Sequence, residues 1–192
     1  MRNRFLFETK RLCIRHIEVA DLDAFPQIYA HNLQTASLLD TAKLPMSIEQ
    51  KRSSIEHDIL NGAGNGFIFV AFFKEKNSYI GCAGLQRISW SNSCGYMGAN
   101  IEPKMQGQRL GSEFCFGVLF YAFRELNLNR VESRILVSNR ASISLFANLG
   151  AVHEGTLRQA QYVNGTYCDV HFMAVLKSEF EKKYESCAKV YF

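Results

Sequence analysis

Apolar and polar residues alternate from Thr9 to Ile17, with Leu12 and Ile14 on one side, the period of a half-buried strand. Asp21 offers a cap for a helix running to about His31. Ser47, followed by Glu49 and Gln50, opens a second helix to about Leu60, which Asn61-Gly62-Ala63-Gly64-Asn65-Gly66 breaks. Phe67 to Phe73 and Tyr79 to Arg87 predict strands joined by the polar turn Lys74 to Ser78. A turn at Ser91-Asn92-Ser93 leads into a strand from Cys94 to Ile101, and Pro103 ends it for want of an N–H. Leu110 to Leu126 is apolar on nearly every face, through Phe114, Phe116, Leu119, Phe120 and Phe123, so it predicts a deeply buried helix. A strand from Val131 to Val137 follows, then a short helix capped by Asn139 and stopped by Gly150. Val152 to Val163 and Thr166 to Leu176 flank Asn164-Gly165, a strong hairpin signal.

The order of elements is thus β-α-α-β-β-β-α-β-α-β-β. Antiparallel hairpins come first, a βαβ crossover next, and a closing hairpin last. This is an α/β chain with a mixed sheet and helices on its faces, and not a doubly wound order. No linker or repeat interrupts it, so residues 1–192 are expected to form one domain.

A 47% apolar content with 15 Phe is enough for a large core, which excludes disorder. The net charge of +4 suits a small anionic ligand and is too mild to argue for nucleic acid, for which no basic stripe with exposed aromatics is evident. The six cysteines form no Cys-x-x-Cys pair, so no metal site is expected, and they read as small buried hydrophobes. The five histidines show no mutual spacing that suggests a metal or a triad. No run suits a signal peptide or a membrane span, and a cytoplasmic setting is the expectation.

The most informative stretch is Gly95 to Gly111. A strand ends at Pro103, and the loop Met105-Gln106-Gly107-Gln108-Arg109-Leu110-Gly111 opens the buried helix. Glycine lets a backbone approach a ligand, and a helix start offers free N–H groups with partial positive charge. Together they suit a pyrophosphate, with Lys104 and Arg109 adding charge beside it. The competing reading is that Gly107 and Gly111 only shape a tight turn. The loop is neither a P-loop nor Gly-x-Gly-x-x-Gly.

Taken together, Gly95 to Gly111 and Val131 to Asp169 resemble the GNAT superfamily of acetyltransferases, and most of all its branch of bacterial ribosomal-protein N-terminal acetyltransferases. The pyrophosphate loop of that family runs Gln/Arg-x-x-Gly-x-Gly/Ala, and here it reads Gln106-Gly107-Gln108-Arg109-Leu110-Gly111. Asn139-Arg140-Ala141-Ser142 matches the branch's Asn-x-x-Ser, and Leu149-Gly150-Ala151 stands for Leu-Gly-Phe. Glu154-Gly155-Thr156-Leu157-Arg158, then Tyr162, Asn164-Gly165 and Asp169, follow the closing hairpin pattern, and Thr9-Lys10-Arg11-Leu12 resembles the first strand. Three positions depart from the pattern. Arg109 replaces the middle loop glycine, where a side chain is tolerated if φ is negative. Phe146 stands where many members carry a Tyr general acid. Gln161 replaces a Glu that precedes the hairpin Tyr.

The resemblance implies a mostly antiparallel sheet of about seven strands with a splayed V that binds acetyl-CoA, and direct acetyl transfer to a primary amine, either a protein N-terminus or a small molecule. It implies backbone N–H groups of Asn100 and Ile101 on the acetyl carbonyl. Gln106, Gly107, Gln108, Arg109, Leu110, Gly111 and Ser112 would hold the pyrophosphate, Asn139 the pantetheine or a water, and Ser142 would donate to the sulfur. Glu154, Asp169 and Tyr162 are candidate bases, with a water relay as the alternative. Each has a plainer role: Ser142 supporting a helix start, Glu154 solvated on a strand, Asp169 paired with Arg158, Tyr162 packed on the sheet. The acceptor side is expected from Ala20 to Gly66 and the closing hairpin, with Phe67, Trp90 and Tyr162 as candidate lining. The protein is expected to act as a monomer or homodimer. A degenerate GNAT domain that binds acyl-CoA or a partner without turnover is the alternative, and Arg109, Phe146 and Gln161 motivate it.

Overall fold

The computed structural model describes residues 6–24, 47–61 and 66–191. Its centre is one eight-stranded sheet in the order β1-β2-β3-β4-β5-β6-β8-β7. The strands are β1 (Phe7–Glu8), β2 (Leu12–His16), β3 (Phe67–Phe73), β4 (Ser78–Ser89), β5 (Cys94–Ile101), β6 (Arg130–Leu136), β7 (Val152–Val163) and β8 (Thr166–Leu176). Every pairing is antiparallel except β5 with β6, which are joined through a helix. The count exceeds the expected seven because Phe7–Glu8 pairs with Ile14 and Cys13 as a two-residue edge. So short a strand carries no readable alternation of its own.

Helices cover both faces. On one side α1 (Val19–Ala24) and α2 (Ile48–Asn61) lie over a small cluster of Ile17, Leu22, Val70, Phe72 and Tyr79. Ser47 and Gln50 form a capping box at the start of α2, Ser47 N–H donating to the Gln50 side chain at 2.9 Å and Gln50 N–H to the Ser47 hydroxyl at 3.1 Å. Asp21 sits inside the first turn of α1 rather than before it. Its carboxylate accepts the Glu18 N–H at 2.7 Å and both Arg15 guanidinium arms. The expected continuation of that helix to His31, and most of the glycine-rich break after α2, lie outside the described residues.

The main core lies on the other face. There α3 (Leu110–Phe120) is buried as its composition predicts, with Phe114, Cys115, Phe116, Val118 and Leu119 fully inside. A single π turn, Tyr121–Glu125, extends it, so the predicted helix to Leu126 changes its winding at Tyr121. Burial pushes the Cys115 thiol up to about 12, as expected of a cysteine that only packs. Flanking α3 are α4 (Arg140–Asn148) and α5 (Lys177–Tyr191). Sequence patterning overlooks α5 because it is rich in charged residues. Phe180 and Tyr184, one turn apart, anchor it against Phe116, and the Glu179 side chain accepts the Leu176 N–H at 2.8 Å at its start. No described helix is long and apolar enough to cross a membrane.

Candidate active site

The parallel pairing of β5 with β6 covers only Cys94, Gly95 and Tyr96 with Arg130, Val131 and Glu132. Beyond it β5 stays with β4 to Ile101 and β6 stays with β8 to Leu136, so the two strands diverge into a V. The Glu102 N–H donates to the Ile80 carbonyl at 2.9 Å, which sets the phase of the β4–β5 ladder. Even-numbered residues of β5 face β4 with their backbone groups, and Met97, Ala99 and Ile101 turn theirs into the V. Ile101 therefore faces the gap as expected, whereas the Asn100 N–H is directed at β4. Ala99, which sequence alone did not single out, also turns its backbone groups to the gap.

At the open end of the V stands the start of α3. Gly107 and Arg109 both adopt left-handed backbone, at φ +75° and +60°. The negative φ under which a side chain is tolerated at Arg109 is not found. A glycine is preferred there because a side chain costs roughly 1–2 kcal/mol in this region. The Glu113 N–H reaches the Arg109 carbonyl, and no side chain caps the helix. The N–H groups of Leu110, Gly111 and Ser112 thus have no partner within the helix and carry the positive end of its dipole. A Cβ on Gly111 would lie 3.1 Å from Ile101 Cγ1 and 3.4 Å from Leu145 Cδ1, so glycine brings the start of α3 against both β5 and α4. The Gln106 and Gln108 side chains are spent inside the loop, on the carbonyls of Ile101 at 2.9 Å and Lys104 at 3.2 Å. What the loop offers a ligand is its backbone, with Lys104 and Arg109 as flanking charge.

A support that motif reading missed lies beneath this loop. Glu113 is 1% exposed. Its carboxylate accepts from the Thr9 hydroxyl at 2.6 Å and from the Arg11 N–H and Nε at 2.7 Å each. The Arg11 Nη1 also donates to the Gln108 carbonyl at 3.1 Å. A bare carboxylate in the first turn would repel an anion; here it is neutralised, and the same arginine holds the loop.

Asn139 caps α4, its side chain accepting the Ser142 N–H at 3.1 Å. The Ser142 hydroxyl takes no part in that cap. Phe146 is buried in the core and cannot donate a proton.

The candidate bases are not brought together. Glu154 is held by both arms of Arg130, which in turn bonds Glu132. That guanidinium keeps the Glu154 carboxyl below the usual carboxylate range, so it is an ion-pair partner and a poor proton acceptor. Arg130 begins β6, at the end opposite the opening of the V. Asp169 accepts the Gln159 N–H at 2.8 Å, across a bulge in β7, and among the described residues no ion pair joins it to Arg158. Arg158, Gln159 and Asp169 line an open recess of about 410 Å³ beside the end of β6, where the Val137 N–H meets the Asp169 carbonyl. Tyr162 is 60% exposed, its ring 5.0 Å from that of Tyr167 on the projecting hairpin. Trp90 sits on the β4–β5 turn, away from the opening of the V, and Phe67 packs against His16, Phe69 and Tyr121. His153 and His171, unrelated in sequence, meet at 4.4 Å with the Thr156 hydroxyl bridging them. Cross-strand pairing makes that contact, and no local spacing announces it.

Comparison with known proteins agrees with this architecture. The chain is 29% identical to the uncharacterized N-acetyltransferase p20 of Bacillus licheniformis over 90% of its length and 96% of that protein. It is 25% identical to the ribosomal-protein-serine acetyltransferase of Escherichia coli, over 71% of this chain and 75% of that one. The crystal structure of spermidine N-acetyltransferase from Vibrio cholerae, in complex with CoA and spermine, superposes with a TM-score of 0.80 at 24% identity, covering 89% of this chain and 98% of that one. The acetyltransferase (GNAT) domain matches residues 11–152. With the V beside the α3 start in place, the chain belongs to the GNAT family of N-acetyltransferases.

Proposed function

We propose that the protein transfers acetyl from acetyl-CoA directly to a primary amine in a ternary complex. The observation that carries this is the V between β5 and β6, opening beside a helix start whose N–H groups at Leu110, Gly111 and Ser112 lack intrahelical partners. The pyrophosphate binds at those groups and at the loop from Gln106 to Arg109, and Asn139 contacts the pantetheine or a water. The pantetheine runs into the V along the outward backbone of Ile101 and Ala99, in the manner of an added strand. An N–H of that edge donates a hydrogen bond to the thioester oxygen as negative charge grows on it.

The neutral amine attacks the thioester carbon, the C–S bond breaks, and the thiolate takes a proton through the Ser142 hydroxyl, which solvent reprotonates. The amine's proton leaves through water. Glu154 is engaged by Arg130 and Asp169 by the β7 bulge, so neither is required as the base. For the acceptor, the projecting hairpin with Tyr162, Tyr167 and the recess at Asp169 suits an extended amine with room on either side. A polyamine fits, the Vibrio cholerae neighbour being a spermidine N-acetyltransferase in complex with spermine, and so does a protein N-terminus, the Escherichia coli relative being a ribosomal-protein-serine acetyltransferase.

The test is acetyl-CoA with a panel of spermidine, spermine and short peptides with free N-termini, read by mass spectrometry for acetylated product and by release of free CoA. Transfer to one class fixes the acceptor. Saturable acetyl-CoA binding with no transfer to any of them supports the domain that binds without turnover, for which the left-handed Arg109 and the buried Phe146 speak.

A further inference from the structure

The point where β5 and β6 part is built from side chains. In a continued parallel ladder, the next rung would run from the Arg134 N–H to the Met97 carbonyl. Each of those groups has another partner. The Met97 carbonyl accepts the Ser133 hydroxyl at 3.0 Å, and the Arg134 N–H donates to the Tyr96 hydroxyl oxygen at 3.0 Å. Ser133 is buried, and the Arg87 guanidinium lies over the Tyr96 ring at 5.4 Å. One backbone bond has been exchanged for two side-chain bonds, so no unmet backbone group at this rung draws the strands together. Tyr96 is the last paired residue of β5 and Ser133 the first residue of β6 beyond the pairing, which places both wedging groups at the apex of the V.

The apex is also where an acyl chain would end. The phosphate-binding start of α3 lies against Ile101, at the open end of the V. From Ile101 down β5 to Met97 is roughly 13 Å of extended strand. An arm anchored at α3 and laid along Ala99 is led toward Met97, Tyr96 and Ser133.

We propose that Tyr96 and Ser133 are positioning residues: they hold β5 and β6 apart and form the floor on which the thioester end of acyl-CoA rests. The proposal depends on the acetyl-CoA reading above.

The experiment compares two ligands on the full chain by calorimetry. Acetyl-CoA needs both the loop and the slot, whereas adenosine 3′,5′-bisphosphate carries phosphates and no pantetheine arm. Tyr96→Phe keeps the ring and removes the oxygen that accepts from Arg134, and Ser133→Ala removes the donor to Met97. The double variant should bind acetyl-CoA on the order of tenfold more weakly, as expected for the loss of two hydrogen bonds, and bind the bisphosphate as the parent does. Tyr96→Phe alone should show the same ordering to a smaller degree, and it serves if the double variant does not fold. Equal weakening of both ligands, or unchanged acetyl-CoA binding, overturns the wedge. If the unaltered chain binds no acetyl-CoA, the reading beneath the wedge falls and the wedge with it.

Discussion

Arg11 donates from Nε to the Glu113 carboxylate at 2.7 Å, joining the start of β2 to the first turn of α3 across 102 residues of sequence. Removing one partner of a buried pair typically costs 3–5 kcal/mol, roughly. Here Thr9 and the Arg11 N–H remain as donors, and the Arg11 side chain is 38% exposed. Arg11→Met is therefore expected to cost about 2 kcal/mol in urea unfolding. The double variant Arg11→Met with Glu113→Leu should regain most of that stability, because no buried carboxylate is left unpaired. Acetyl-CoA binding should weaken in both, since the Gln108 carbonyl loses its tether.

Arg109 is strained by its own backbone. Arg109→Gly should raise stability by about 0.5–1 kcal/mol, the left-handed cost less the added freedom of glycine in the unfolded chain. Arg109→Val, β-branched at the same φ of +60°, should lower it. Paired urea midpoints decide between this account and one in which the arginine side chain is itself a main contributor to the fold.

Glu154→Gln separates an ion pair from a catalytic base. The pair with Arg130 is partly exposed, so its loss should cost no more than ~1 kcal/mol of stability. The transfer rate should stay within about twofold, whereas loss of a general base would lower it roughly a hundredfold or more.

Ser142→Ala should lower kcat about ten- to hundredfold and leave acetyl-CoA affinity unchanged, because the cap to Asn139 uses the Ser142 N–H and not its hydroxyl. Asn139→Ala should show the converse stability effect, losing about 1 kcal/mol of helix capping.

His16 sits among Phe67, Phe69 and Tyr121, and desolvation holds its pKa below the ordinary value. The unfolded chain takes up this proton more readily than the folded one. Stability is then full above about pH 6.5, the unfolded value, and falls as pH drops through the window below it. His171 shares the direction through burial and its neighbours His153 and Arg140. His16→Phe should flatten, without abolishing, the fall in melting temperature between about pH 7 and pH 5.

Local chemistry was legible in the sequence. The hairpin turn at Asn164-Gly165, the stop at Gly150 and the bounds of β3, β5, β7 and β8 follow from turn residues and alternation. The loop before α3 was legible for the same reason, since each of its requirements is a residue type at a fixed offset. Contacts made by distant parts of the chain were not. Thr9 and Glu113 are 104 residues apart, and Tyr96 and Arg134 are 38 apart. Neither pair leaves a periodic mark. Glu154 read as a candidate base because its motif is local, and Arg130, the residue that engages it, comes from another strand.

The most direct test of the account is the melting temperature of the full chain during titration with acetyl-CoA. If the V and the α3 start form the donor site, the midpoint rises with ligand and saturates as a single site, by about 2.7 kcal/mol of added stability at ~100 times the dissociation constant. An unchanged midpoint at millimolar acetyl-CoA would contradict it.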